Sequence, residues 1–281
     1  MENFQKPLLS IIIPTIGRIE ELISLLESIY SCDIDHSQVE IIVIDQNSIS
    51  FLKEVRLKFE SVRFENVDFK GLSKAKNYGA TLANGKWLCF PDDDCEFFND
   101  TIKLALRFLY ESNAEIIFGK CIDRSGNDSV MNFKNQDFTL TVETMSGGFV
   151  EATGFVKKEV FSQYKFDESM GAGCFHGAEE GYDWLFRILK NSKYKVIFNP
   201  LILFYHPQII SVKGDQASIK RVFTYRCGFA KLCFKHEFYF KFFKRVVLVS
   251  FSLPFFAFFD QKKLRYYSAE LLGLFSGAII K

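Results

Sequence analysis

The chain has 281 residues, 48% of them hydrophobic and 25% charged, a globular composition that excludes a disordered or fibrous protein. Its net charge of +1 conceals a division. Of 35 Lys and Arg and 34 Asp and Glu, residues 211–281 hold 13 and 4, so a basic, Phe-rich last quarter follows an acidic body. That asymmetry points to an anionic partner surface, and with no nucleic-acid-binding motif beside the charge, nucleic acid is excluded in favour of lipid.

Residues 8–14, LLSIIIP, form a continuous apolar run expected of a buried parallel strand. Residues 17–30 follow with Ile19, Leu22, Ile23, Leu26 and Ile29 at helical spacing. VEIIVID (39–45) predicts a second buried strand, 51–60 a helix, 62–67 a short strand, 72–84 a helix closed by Gly85, and KWLCF (86–90) the next strand. A helix over 101–112 and a strand over 114–122 continue the alternation, which predicts a doubly wound α/β sheet. Residues 123–175 are less regular, 179–191 read as a helix, and 194–206 hold one or two short strands. From about residue 211 the pattern turns to long helices, which sets the expected domains at 1–210 and 211–281.

The seven cysteines include no CxxC pair, and Cys227 and Cys233 with His236 do not match a zinc spacing, so all seven are expected as reduced thiols. The N-terminal residues lack the pattern of a secretory signal, so the body is expected at the cytoplasmic face of the membrane.

Polar clusters fall where strands end, the place where open α/β sheets bind ligands. Pro14 and Thr15 follow the first strand, Asp45 closes the second, Asp92, Asp93 and Asp94 follow the KWLCF strand, and His206 follows the last. A helix cap needs one carboxylate, and three in a row repel. A hard divalent cation, Mn²⁺ or Mg²⁺, shared with a nucleotide diphosphate would compensate them, with two aspartates aimed at one spot and the middle one turned elsewhere.

Taken together, SIIIPTIGR, VIDQNS, GLSKAKNYGATLANGKWLCFPDDDC and FDESMGAGCFHGAEEGYDWLFRILK resemble the inverting family 2 glycosyltransferases of the GT-A fold, in the group that builds bacterial capsular and other surface polysaccharides. The resemblance covers about residues 8–206. It implies that Pro14, Thr15 and Arg18 line a nucleotide pocket, that Asp45 contacts base or ribose, and that Gly71, Lys74 and Asn77 hold the nucleotide. Asp92 and Asp93 would stand beside the donor, with Asp94 as the main metal ligand and Asp92 and His206 completing the site. In GAEEGYDW it implies a catalytic base at Glu180, with Glu179 and Asp183 as neighbours. The second acid is Glu where Asp is commoner and the following Asp lies one residue late, so Glu179 stays open as the base. Gln46 stands where Asp or Asn is common. Trp87 and Trp184 are expected in the core, and His176 carries no assigned role.

The expected activity is metal-dependent hexosyl transfer with inversion, from a UDP-sugar to a hydroxyl of a lipid-linked glycan. A carboxylate takes the acceptor proton, by the logic of inverting glycoside hydrolysis. A sugar nucleotidyltransferase is disfavoured because no Gly-rich, Arg-bearing loop follows the first strand, and a non-catalytic binding subunit is the other alternative. In the tail, 231–281, the apolar stretch 246–259 has 14 residues flanked by Lys and Arg, short of the roughly 20 that span a bilayer. A helix in the membrane interface is expected there, with a packed subdomain or a homo-oligomer contact as the alternative.

Overall fold

The computed structural model describes residues 6–191, 193–208 and 214–280, so the boundary expected at 210/211 lies outside the described residues. Two compact units divide the chain. One comprises Met1–Phe69, Ala75–Lys165 and Leu185–Ile209, and the other Lys70–Lys74, Phe166–Trp184 and Ile210–Lys281.

In the first unit, β1 (Leu9–Thr15) leads through α1 (Glu20–Tyr30) to β2 (Val39–Asp45), and α2 (Lys53–Lys58) to β3 (Arg63–Asn66). Then α3 (Leu72–Leu82) precedes β4 (Trp87–Cys89) and a two-residue β5 (Glu96–Phe97), and α4 (Thr101–Ser112) precedes β6 (Ile116–Ile122). A short β7 (Phe138–Thr139), β8 (Gly154–Lys157) and α5 (Lys158–Gln163) fill the irregular middle, and α6 (Glu180–Asn191) leads into β9 (Val196–Tyr205). The sheet order is β3-β2-β1-β4-β8-β6-β9-β5, with β7 on β9. Pairing is parallel among β1, β2, β3 and β4 and between β6 and β9, and antiparallel at β8, β5 and β7.

Every residue of β1 is buried, as its run of Ile and Leu requires with both faces covered. The chain winds outward from β1 to β2 and β3, then returns to place β4 on the other side of β1. That reversal is a topological switch point, and it brings the carboxyl end of β1 beside the segment that leaves β4. The last strand is one element of ten residues rather than two, because it pairs with β6 on both sides of a bulge. Phe118 pairs with Phe198 and Lys120 with Leu203, so Asn199–Ile202 bow out, at a proline that has no N–H for the ladder.

The second unit is built on α7 (Gln216–Lys235), α8 (Tyr239–Phe259) and α9 (Gln261–Ile279). Its core cluster holds Ala230, Cys233, Phe242 and Leu274. The helix α8 extends seven residues earlier than the apolar stretch at 246, because Lys241, Lys244 and Arg245 are good helix formers that take polar positions on a continuous helix. Where α7 ends, Glu237 adopts a left-handed backbone, φ 60°, and the Phe238 N–H bonds the Cys233 carbonyl at 2.7 Å, a Schellman closure. Glu270 of α9 is fully buried and receives Arg226 of α7 and Arg245 of α8, each at 2.6 Å. Gly273 and Gly277, one helical turn apart, let α9 lie against the backbone of α7: a Cβ on Gly277 would stand 2.4 Å from the Cys227 Cα. Gly277→Leu is therefore expected to lower the unfolding free energy by roughly 1–3 kcal/mol in urea titration. An unchanged midpoint would mean that the α7–α9 contact is not close-packed.

Candidate functional site

The three aspartates sit in the turn after β4, at the switch point. Asp93 is the buried one. It accepts from Thr15 Oγ1 at 2.8 Å and from Arg18 at 2.6 Å. Burial pushes the Asp93 carboxyl up from its ordinary value; Arg18 and Thr15 oppose that shift, while Asp94 and Asp92 add to it. Arg18 also reaches Asp94 at 2.7 Å, so one guanidinium spans two carboxylates. Its position follows from Gly17, whose positive φ of 74° turns the chain between β1 and α1. Asp92, more than a third exposed, lies 3.6 Å from Lys76 Nζ. Lys76 is itself fully buried in α3 and donates to Glu151, in the turn before β8. The compensating charge at the aspartates is therefore supplied in part by the protein, through Arg18 and Lys76.

Asp94, Cys95 and His206 bring a carboxylate oxygen, a thiol and an imidazole nitrogen within 4.8 Å of one another. His206 Nδ1 lies 2.8 Å from the Pro207 carbonyl, which only accepts, so Nδ1 carries the proton and Nε2 presents its lone pair in the neutral ring. That Nε2 stands 3.8 Å from Asp94 Oδ1, with two acceptors facing one gap. A carboxylate and an imidazole so arranged could share one divalent cation. Burial, with the charges of Asp92 and Asp94 nearby, pushes the Cys95 thiol well above its ordinary value.

Asp45 closes β2. Its side chain is fully buried, paired with Arg56 at 2.9 Å and accepting from the Asn47 N–H and side-chain amide at 3.0 and 2.9 Å. It is not presented at the surface of this structure. Pro14 and Thr15 are buried at the end of β1, Asn77 is buried in α3, and Lys74 is exposed. Trp87 and Trp184 are buried, as expected.

The acidic motif belongs to the second unit. Glu179 takes a left-handed backbone, φ 73°, at the residue before α6, a conformation that costs a residue other than glycine about 1–3 kcal/mol. Burial pushes its carboxyl up against the opposing charges of Arg226 and Lys241. Glu180 opens α6, 8% exposed, and lies against the MGAG loop. There Gly171 has a φ of 101°, and a Cβ on it would stand 2.9 Å from the Glu180 carboxyl carbon and 2.9 Å from Ser73 Oγ. Gly71 and the loop are joined by the Leu72 N–H to the Ala172 carbonyl at 2.9 Å. Asp183, one turn along α6, is fully buried and receives His236 Nε2 and Lys235 Nζ from the end of α7, both at 2.8 Å. His176 is buried and its Nε2 meets the Ile280 carbonyl at 3.1 Å.

Sequence reasoning missed Lys76, Glu151, Lys235 and His236. Lys76 lies on the same helix as the expected Lys74, and its facing the sheet shows only in the structure. The pairs with Glu151 and Asp183 join residues 75 and 53 positions apart, which no local pattern shows.

The chain belongs to glycosyl transferase family 2, whose profile matches residues 10–167. It is 35% identical over 107 residues to an uncharacterized glycosyltransferase of Rickettsia felis, a stretch that is 37% of this chain and 17% of that protein. The chain thus spans about a sixth of the length of that relative. An uncharacterized glycosyltransferase of Haemophilus influenzae is 25% identical over 231 residues, 78% of this chain and 75% of that one. Among solved structures, residues 1–349 of TarS from S. aureus in complex with UDP-GlcNAc superpose with a TM-score of 0.60 at 17% identity, covering 93% of this chain and 79% of that one. The mannosyltransferase PcManGT from Pyrobaculum calidifontis, in complex with GDP-Man and Mn²⁺, gives 0.55 at 14% identity, covering 98% and 74%. These likenesses establish the GT-A fold.

Asp167 gives the second unit a measurable pH dependence. Burial favours its neutral form, but Lys235 at 2.7 Å and the Ser169 hydroxyl and N–H prevail and hold the carboxyl well below the usual carboxylate range. A depressed folded-state value adds stability that is present above the unfolded value, near 3.8, and lost as pH falls toward the folded one. Urea unfolding at neutral pH and near pH 3 should therefore show a smaller acid loss in Asp167→Asn than in wild type. Equal losses would remove Asp167 from the acid transition.

Proposed function

We propose that this glycosyltransferase transfers a hexosyl unit with inversion, from a nucleotide-sugar, foremost a UDP-sugar, to a hydroxyl of a lipid-linked glycan during synthesis of a bacterial capsular or other surface polysaccharide. The observation that carries the donor side is the cluster at the switch point, where Asp94 and His206 face one gap, Arg18 reaches Asp94, and Thr15 and Arg18 hold Asp93. Asp94 and His206 would hold a divalent cation, with Asp92 near it, and that cation would offset the charge of a departing nucleoside diphosphate. Arg18, 41% exposed, is the protein's own cation on the same side.

Glu180 is the base in this reading. It takes the proton from the acceptor hydroxyl as that oxygen attacks the anomeric carbon and the bond to the diphosphate breaks, so no covalent enzyme intermediate forms. Support for Glu180 over Glu179 comes from its place against the Gly171 loop, whereas burial favours the neutral form of Glu179. Asp183 serves to anchor the first turn of α6 through His236 and Lys235.

Calorimetry with UDP, GDP and CDP, each with Mn²⁺ and with EDTA, tests the donor side. Metal-dependent binding of UDP, weakened at least about tenfold in Asp94→Ala, is expected. Binding of none of the three by folded protein would remove the nucleotide–metal reading and leave a non-catalytic subunit. For the base, Glu180→Gln should bind UDP as wild type does yet lose transfer by roughly a hundredfold or more. Near-full turnover in that variant would pass the role to Glu179.

A further inference from the structure

The helix α8 has two unlike faces. Phe242 and Val249 point inward, and Phe242 joins the core cluster with Ala230, Cys233 and Leu274. Outward, Phe240, Phe243, Val247, Phe251, Phe255 and Phe258 recur at intervals of three and four, which places them in one stripe. Phe251 is 82% exposed and Phe258 86%. From residue 246 to 259 no charged residue interrupts this surface. Exposed Lys241 and Lys244 stand at one end, and Lys262, Lys263 and Arg265, also exposed, at the other.

We propose that this stripe is a docking surface for an anionic lipid bilayer, with α8 lying in the plane of the interface rather than crossing it. By length and composition alone the 21 residues Tyr239–Phe259 could cross a membrane. Charge placement argues otherwise. The charge-free run of 14 residues measures about 21 Å as a helix, against a hydrocarbon core of about 30 Å. Within the helix, Arg245 is committed to the buried Glu270, and Phe242 with the partly buried Val246 packs on the core cluster. A face that is apolar for four turns, with lysines at both ends, suits acyl chains below and lipid phosphates at the rim.

A second copy of the chain fits the stripe less well. Two α8 helices face to face, parallel or antiparallel, would set basic ends against basic ends, because both ends carry lysine. An anionic surface turns the same lysines into attractive contacts. This docking is independent of the transfer chemistry and would hold for a catalytically dead protein.

The test uses the full chain and flotation with vesicles of phosphatidylcholine, alone or mixed with phosphatidylglycerol. Wild type should float with the mixed vesicles, less with phosphatidylcholine alone, and should be released by alkaline carbonate. Phe251→Glu with Phe255→Glu and Phe258→Glu, all on solvent-facing positions, should lower the bound fraction roughly tenfold. Should that variant misfold by circular dichroism, Lys244→Glu with Lys262→Glu provides the second arm, with loss of the preference for phosphatidylglycerol expected. Retention after carbonate would replace interfacial docking with a spanning helix. Absence of flotation would overturn the proposal, and a dimer in sedimentation that the Phe→Glu variant dissolves would assign the stripe to a second copy.

Discussion

Three adjacent carboxylates at the end of a buried strand are the constraint around which the first unit is arranged. Their mutual repulsion and partial burial favour protonation unless cations and donors are brought to them. The fold does this with residues from several places in the sheet. Thr15 and Arg18 arrive from the end of β1, the immediate neighbour of β4, and Lys76 arrives from the helix that precedes β4. Lys76 stands by Asp92, Thr15 and Arg18 hold Asp93, and Arg18 also reaches Asp94. The arrangement depends on the chain having reversed its winding direction at β1, since only then do these strand ends adjoin.

Much of this frame could be read from the residues because burial on both faces leaves an unbroken apolar run. That is why β1, β2 and α4 lie where hydrophobic periodicity puts them. The limits have physical causes as well. In α3, Lys74 and Lys76 are two residues apart and so point about 200° apart around the helix; composition cannot say which of them faces the sheet, and it is Lys76 that does. In β9 a proline and a bulge interrupt the ladder while the strand continues beyond them. In α8 the hydropathy signal begins only after the basic residues, although the backbone hydrogen bonds begin earlier. The acidic site residues were visible as strand-end and helix-start signals, but their partners come from far along the chain, and Asp45 turned out to be held by Arg56.

The second unit uses its charge in two ways. Some of it is structural and buried: Glu270 gathers arginines from two helices, and Asp183 gathers Lys235 and His236. Ion pairs of this kind are costly to break and specify one packing rather than many. The rest is displayed at the ends of α8, where it gives the exposed phenylalanines a charged border. A sequence that seems simply basic in composition therefore divides into locks and surface.

The full burial of β1 has a consequence for how such a protein can diversify. Apart from Ser10, its strand interior is Ile and Leu packed on both faces, whereas the polar groups that serve the site begin with the buried Thr15 and continue in the turn beyond. Stability and chemistry are thus written in separate letters of the same segment. Exchange of residues in the turns can explore new recognition without disturbing the sheet, and the sheet can drift among aliphatic residues of similar volume without touching recognition. Selection can act on the two almost independently, joined only at the few positions, Thr15 and Asp93 among them, where one side chain serves both.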